Sequence, residues 1–239
     1  MSEITRRDFL KHASLGLATL GATSLTLRSE AKPTAASSNI ALSEHVLQQM
    51  GEPPIPLVLQ DKLKPTAQNP LGPFYRAGAP FRAKVTPPFE PGTALLVSGR
   101  VWAYDTKKPL AGAVLDVWHV DHTGVYSSGD PDAKRGFKNR ARLITSETGY
   151  YEFEAIHPIA YQPNSDFWRS PHIHYKITHP GYKTLVTELF FEGDDKHDVD
   201  PMFQAGLMMK IVQQQANGHT YESTIFDIVL EAGSGMQGD

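Results

Sequence analysis

Cysteine is absent from the 239 residues, and that removes disulfides, zinc–thiolate sites, iron–sulfur clusters and thiol nucleophiles together. Any metal must then be held by His, Tyr or carboxylate. No charge of one sign is in excess: 23 Lys and Arg stand against 26 Asp and Glu, so no basic field invites nucleic acid. A long apolar run is also missing. The mildly apolar stretch near the N-terminus is broken by Gly16, Thr19, Gly21 and Thr23, whereas a spanning helix needs ~20 strongly apolar residues. With 40% hydrophobic and 21% charged residues, the composition suits one large all-β domain or two small ones.

What is present begins with a leader. Thr5-Arg6-Arg7-Asp8-Phe9-Leu10-Lys11 precedes a segment with no charged residue until Arg28. The pattern resembles a twin-arginine signal peptide over residues 1–36, which implies export to the periplasm. Ser29-Glu30-Ala31 and Thr34-Ala35-Ala36 are both candidate cleavage sites, and nothing in the leader predicts insertion of the mature chain in a membrane.

Residues 40–50 have the pattern of a short helix. The stretch 53–92 then holds 10 of the 18 prolines, which predicts an extended arm, 37–93, rather than regular structure. From residue 94 onward short β-branched and aromatic runs alternate with turn residues. They predict strands at 95–104, 113–120, 140–146, 150–156, 171–178, 183–191 and 224–231. Seven such strands predict an all-β fold, a β-sandwich over 94–239. A helix is expected at 201–215.

His172 and His174 share one face of their predicted strand, with Ile173, Tyr175 and Ile177 on the other. Two histidines so placed stand ~7 Å apart at Cα, a span that one metal ion with ~2.1 Å bonds bridges. Tyr126 and Tyr161 each fall in a predicted loop. Two loop tyrosines beside an H-x-H strand, with no thiol anywhere, point to a hard, highly charged cation such as ferric iron, because a phenol ligates well only where the metal displaces its proton. His119 and His122 lie close by and are expected to be packed or hydrogen-bonded. The acidic run Asp194, Asp195, Asp198 and Asp200 lacks the alternation and closing Glu of a calcium loop and is expected to be solvated.

These stretches carry a family resemblance. The runs GRVWAYDTKKPLAGAVLDVWHVDHTGVYS, ITSETGYYEFEAIHPIAY, WRSPHIHYKI, LVTELFFEGD and FDIVL follow one another in the order found in intradiol ring-cleavage dioxygenases. Within that family the chain resembles the protocatechuate 3,4-dioxygenase type more than the catechol 1,2-dioxygenase type. The resemblance implies one non-haem Fe(III) per chain bound by Tyr126, Tyr161, His172, His174 and a hydroxide, with Tyr126 and His172 equatorial and Tyr161 and His174 axial. It implies a catecholic substrate opened by O2 to a cis,cis-muconate-type diacid, with Tyr161 and Arg169 as catalytic residues. Pro73, Phe74 and Tyr75 would line the pocket. Glu188 stands where the protocatechuate enzyme has a glutamine, and a carboxylate there would repel a carboxylated substrate. Family members assemble as homodimers or larger complexes, so a homo-oligomer is within the family's range.

Two other readings fit parts of the chain. Residues 97–156 also resemble a transthyretin-like sandwich, a binding or spacer module without iron. His172, His174 and Glu188 could instead form a two-histidine–one-carboxylate ferrous site. Iron content separates the first from an enzyme, and visible colour separates the second from a tyrosinate–ferric centre.

Overall fold

A computed structural model describes residues 51–55, 62–127, 137–216 and 218–233. The leader and the expected helix at 40–50 lie outside these residues. The chain divides into two units, Met1–Leu57 with Ala216–Gly218, and Val58–Gln215 with His219–Asp239. The sandwich lies in the second. Among the described residues no helix is long and apolar enough to cross a membrane.

Among the described residues ten strands run in the order β1 (Ala94–Ala103), β2 (Val114–Trp118), β3 (Arg140–Ile144), β4 (Tyr150–Ile156), β5 (His172–Thr178), β6 (Leu185–Phe191), β7 (Met208–Met209), β8 (Val212–Ala216), β9 (His219–Ile225) and β10 (Ile228–Leu230). One sheet is ordered β10-β1-β9-β8, with β4 also paired to β1, and the other β3-β2-β5-β6-β7. Six of the seven expected strands coincide with β1 to β6. On β4 the alternation is plain: Tyr151, Phe153 and Ala155 point into the core, while Tyr150, Glu152 and Glu154 do not. Ile173, Tyr175 and Ile177 of β5 meet Val97, Phe153 and Phe226 in the same core.

Two expectations are corrected. The predicted strand 224–231 is two strands, both parallel to β1: β9 on Leu95–Ser98 and β10 on Val101–Ala103. The break falls at Phe226, whose carbonyl lies 2.1 Å from where a Cβ on Gly99 would stand, so only glycine fits at that point of β1. The Phe226 amide donates to the Ser98 carbonyl, and Asp227 accepts from the Arg100 amide at 2.8 Å. The helix expected at 201–215 is also not formed. A single 3-10 turn at Ala205–Leu207 leads into β7 and β8. Gly206 weakens a helix there, and pairing of Met208 and Met209 with Phe190 and Phe191 of β6 supplies the bonds a helix would have made.

The arm uses its backbone to bridge the sheets. Arg82 donates to Arg142 O of β3 and Arg142 to Pro80 O, and then Val85 donates to Glu154 O of β4 and Glu154 to Ala83 O. Farther upstream Thr66 bonds Val229 of β10, and Asn69 bonds Val186 of β6. Proline-rich segments suit this work, since they need satisfy few amide donors of their own.

Candidate metal centre and active site

The register of the second sheet builds the site. His174 pairs with Trp118 on β2 and with Glu188 on β6, so the three side chains form one row across the sheet. Trp118 stacks on the His174 ring at 4.7 Å with 6° between planes. This row and His172 occupy the face of β5 opposite the core, and both histidines are only 2% exposed.

Loops bring the tyrosines to this face. Asp121 caps its own turn, accepting from the Thr123 amide and hydroxyl and from the Val125 amide, and so delivers Tyr126. Gly124 has φ +80°, and a Cβ on it would stand 3.1 Å from Tyr161 Cβ, so glycine is needed to seat the two tyrosine loops together. Tyr161 and Arg169 exchange backbone hydrogen bonds of 3.1 and 2.8 Å, which fixes the second loop against the entry to β5.

Four donor atoms then converge. His172 Nε2 lies 3.1 Å from His174 Nε2. Tyr126 Oη is 2.9 Å from His174 Nε2, 3.3 Å from His172 Nε2 and 3.3 Å from Tyr161 Oη. Donors ~2.1 Å from one shared ion stand ~3.0 to ~3.4 Å apart when they meet between a right angle and the tetrahedral angle. The spacing fits one small cation. The protonation chemistry fits as well. Burial, followed by Arg169, pushes His172 down to about 3, and burial followed by His172 lowers His174, so both imidazoles are neutral donors. Burial raises both tyrosines, which therefore keep their protons until a strong positive charge takes their place. His172 Nδ1 donates to Ser170 O at 2.7 Å, which turns its Nε2 toward the cluster.

Behind the donors sits a buried charged group. Arg169 Nε donates to both oxygens of Asp200 at 3.0 and 3.2 Å, and another guanidinium nitrogen reaches Glu188 Oε2 at 2.6 Å. Asp200 also accepts from Ser170 N, Ser170 Oγ and Met202 N. The expectation of a solvated acidic run thus fails for Asp200, which is 6% exposed. It fails in part for Asp194, which binds His157 Nε2 at 2.9 Å. Asp200 was missed because its partner Arg169 is 31 residues away. The Asp-Pro step, a turn signal, was its one local mark.

Glu188 is placed differently from the pocket-lining role expected of it. It is 1% exposed, and Asn69 donates to its Oε2 at 3.0 Å. Its Oε1 lies 3.2 Å from His174 Nδ1, an ion-pair distance whose angle falls short of a hydrogen bond. Burial, outweighing Arg169, pushes Glu188 up to about 7. His172, His174 and Glu188 do gather closely enough to suggest a triad. Yet Glu188 faces Nδ1 of His174, while Nε2 faces the tyrosines. Glu188 stands behind a ligand rather than beside one.

The arm supplies the wall. Phe74 stacks on Tyr126 at 4.3 Å and Tyr75 tilts against Trp118 at 5.1 Å, with Pro73 exposed next to them. His119 is buried, with Nδ1 on its neighbour's carbonyl at 2.7 Å, and His122 bonds Glu90, as packed or bonded histidines should.

Comparison with known proteins agrees with this geometry. Residues 71–232 match the dioxygenase family, a span that contains Tyr126, Tyr161, Arg169, His172, His174, Glu188 and Asp200. The chain is 33% identical over 182 residues to a chlorocatechol 1,2-dioxygenase of Rhodococcus opacus, covering 67% of this chain and 70% of that one. It is 30% identical to an intradiol ring-cleavage dioxygenase of Aspergillus niger, covering 62% of this chain and 52% of that one. The solved dioxygenase domain of a dioxygenase–carbohydrate-binding fusion from Streptomyces sp. SirexAA-E superposes with a TM-score of 0.59 at 30% identity, over 71% of this chain and 100% of that one. The match runs through the tyrosine loops and the H-x-H strand as well as the sandwich, so the chain belongs to the intradiol ring-cleavage dioxygenase family.

Proposed function

We propose that the protein is a ferric intradiol dioxygenase that opens a catechol with O2 between its two hydroxyl-bearing carbons, giving a cis,cis-muconate-type diacid. Tyr126, Tyr161, His172 and His174 would hold one iron. The observation that carries the reading is the convergence of two phenol oxygens and two neutral imidazole nitrogens at 2.9 to 3.3 Å. Bound ferric iron supplies a Lewis-acidic centre that takes the catechol as its dianion and leaves the ring reactive toward O2.

The chain's own residues do the rest. Tyr161, at 8% the more exposed of the two tyrosines, would be a phenolate under the ferric charge and would receive at Oη one of the two catechol protons, the other leaving to hydroxide as water. Arg169 holds a fixed positive charge where negative charge develops on the ring, and Asp200 keeps it there. Phe74, stacked on Tyr126, keeps water from that side.

The test is a visible spectrum of the iron-replete protein before and after anaerobic addition of catechol. A tyrosinate band that shifts on addition, and that Tyr126→Phe and Tyr161→Phe each alter, supports the reading. An iron-loaded protein without that band sinks it. The leader supports a second proposal, export to the periplasm in folded form. Finding the cleaved chain in the periplasmic fraction, and its loss from there when Arg6 and Arg7 become lysine, would bear this out.

A further inference from the structure

Two guanidinium groups border the donor cluster, and their charges are met differently. Arg169 is held at Nε by Asp200 and at a terminal nitrogen by Glu188. Arg140, the first residue of β3, is 2% exposed and pairs with no carboxylate among the described residues. Its side chain donates to two neutral oxygens of one residue, from Nε to Ser127 Oγ at 3.1 Å and from a terminal nitrogen to Ser127 O at 3.4 Å. Its Cζ lies 5.9 Å from the centre of the Tyr126 ring. A charge buried without an opposite charge is costly.

The surroundings do not answer it. Across the ladder Arg140 pairs with Trp118, and Lys138 already takes the carboxylates of the neighbouring loops, Glu90 at 3.0 Å and Asp121 at 3.2 Å. The arm adds further cations: Arg82 donates to Arg140 O at 2.9 Å, and Arg76 lies over the Phe137 ring at 5.2 Å. Among the described groups that the Arg140 side chain touches, Tyr126 alone can carry a negative charge. Phe74 stacks on that ring at 4.3 Å and Tyr126 is 5% exposed, so little water screens the two.

Resting on the ferric reading above, we propose that Arg140 is the built-in counter-charge of the Tyr126 phenolate, a positioning residue whose charge the phenol leaves unanswered and the phenolate answers. Ser127 fixes where the guanidinium stands. From there it favours the ionised form of one iron ligand and lowers the energy of the electrons that ligand donates, which moves the tyrosinate absorption to shorter wavelength. Arg140 acts through Tyr126 and touches no substrate. The chain thus keeps one fixed cation for a ligand and another, Arg169, for the substrate ring.

The test compares Arg140→Gln, which keeps a donor for Ser127 and removes the charge, with Arg140→Lys, which keeps the charge. Each iron-free protein is titrated with ferric nitrilotriacetate while the visible band is followed, and each is unfolded in urea without iron. Arg140→Gln should bind iron about tenfold or more weakly than the parent and show its band at longer wavelength. Without iron it should be no less stable than the parent. Arg140→Lys should recover most of the affinity and of the band position. An Arg140→Gln protein with the parent's band and affinity overturns the proposal. So does one that fails to fold without iron, because the side chain is then structural. An Arg140→Lys protein displaced as far as Arg140→Gln overturns it as well. A parent protein that holds iron without a tyrosinate band overturns the ferric reading, and this proposal with it.

Discussion

Replacing Asp200 with asparagine keeps the size of the side chain and removes one charge, at a residue that accepts from Arg169 Nε, Ser170 N, Ser170 Oγ and Met202 N. An amide has one acceptor oxygen. If that oxygen stays with Ser170 and Arg169, the new NH2 faces the Met202 amide, formerly 2.8 Å from an acceptor. One buried backbone donor left unpaired costs about 1–3 kcal/mol. The bonds to Arg169 fall from charge-assisted to ordinary strength, for about 1 kcal/mol more. The expected loss is about 3 kcal/mol, or roughly 6–12 °C in Tm for a domain of this size. The charge on Arg169 would also lose its fixed position, so kcat/KM on catechol should fall about tenfold or more, with most of the loss in kcat. Urea unfolding and steady-state oxygen uptake measure the two effects. A variant within 0.5 kcal/mol of the parent on the urea scale (about the size of an ordinary surface substitution) would refute the account of Asp200 as the clamp on Arg169. So would undiminished turnover.

Three other predictions follow from separate parts of the molecule. A Cβ at Gly99 would meet the Phe226 carbonyl at 2.1 Å, so Gly99→Ala should cost about 3 kcal/mol or more, and a Tm unchanged in thermal unfolding would show that β1 and the β9–β10 junction move apart freely. His157 lies between Asp194 and Glu222; burial lowers its pKa, but the two carboxylates outweigh burial and raise it. Its stabilising share is complete below about pH 6.5 and fades as pH rises through the raised folded value. The stability gap between the parent and His157→Gln should therefore be widest near pH 6 and shrink toward pH 9, and a flat gap in urea titrations would count against the clamp. Phe74→Ala removes a ring stacked 4.3 Å from Tyr126, and should cost about 1–2 kcal/mol and shift the visible band of the iron-loaded protein; a band that stays put would mean the stack does not shape the Tyr126 environment.

Much of the site was legible because its signals are local. Period-two alternation put His172 and His174 on the face opposite Ile173, Tyr175 and Ile177, and the structure has that division. The tyrosines could be found because each ends or follows a recognisable strand. What was hidden depends on pairing between distant segments. Asp200 sits in an acidic run where the proline after it is its one local mark, and its buried role depends on Arg169, brought near by the Tyr161 bridge. Residues 201–215 have no strong period, and their strands exist because β6 and β9 offer edges to pair with. The split at Phe226 needs knowledge that Gly99 faces it across the sheet. Glu188 was recognised as near the site, but its direction was set by register with His174 and by Arg169, neither of which a single strand reveals.

The arm's path has a consequence for how the protein fails. Residues 80–85 cap the free edges of β3 and β4, and the segment just upstream lays Phe74 and Tyr75 over the donor cluster. One strap therefore guards against edge-to-edge aggregation and encloses the reactive centre. A protease cut or truncation between residues 75 and 80 would separate these duties, leaving protected edges around an uncovered centre. Loss of the whole strap would make insolubility and inactivity appear together, as two symptoms of one missing segment.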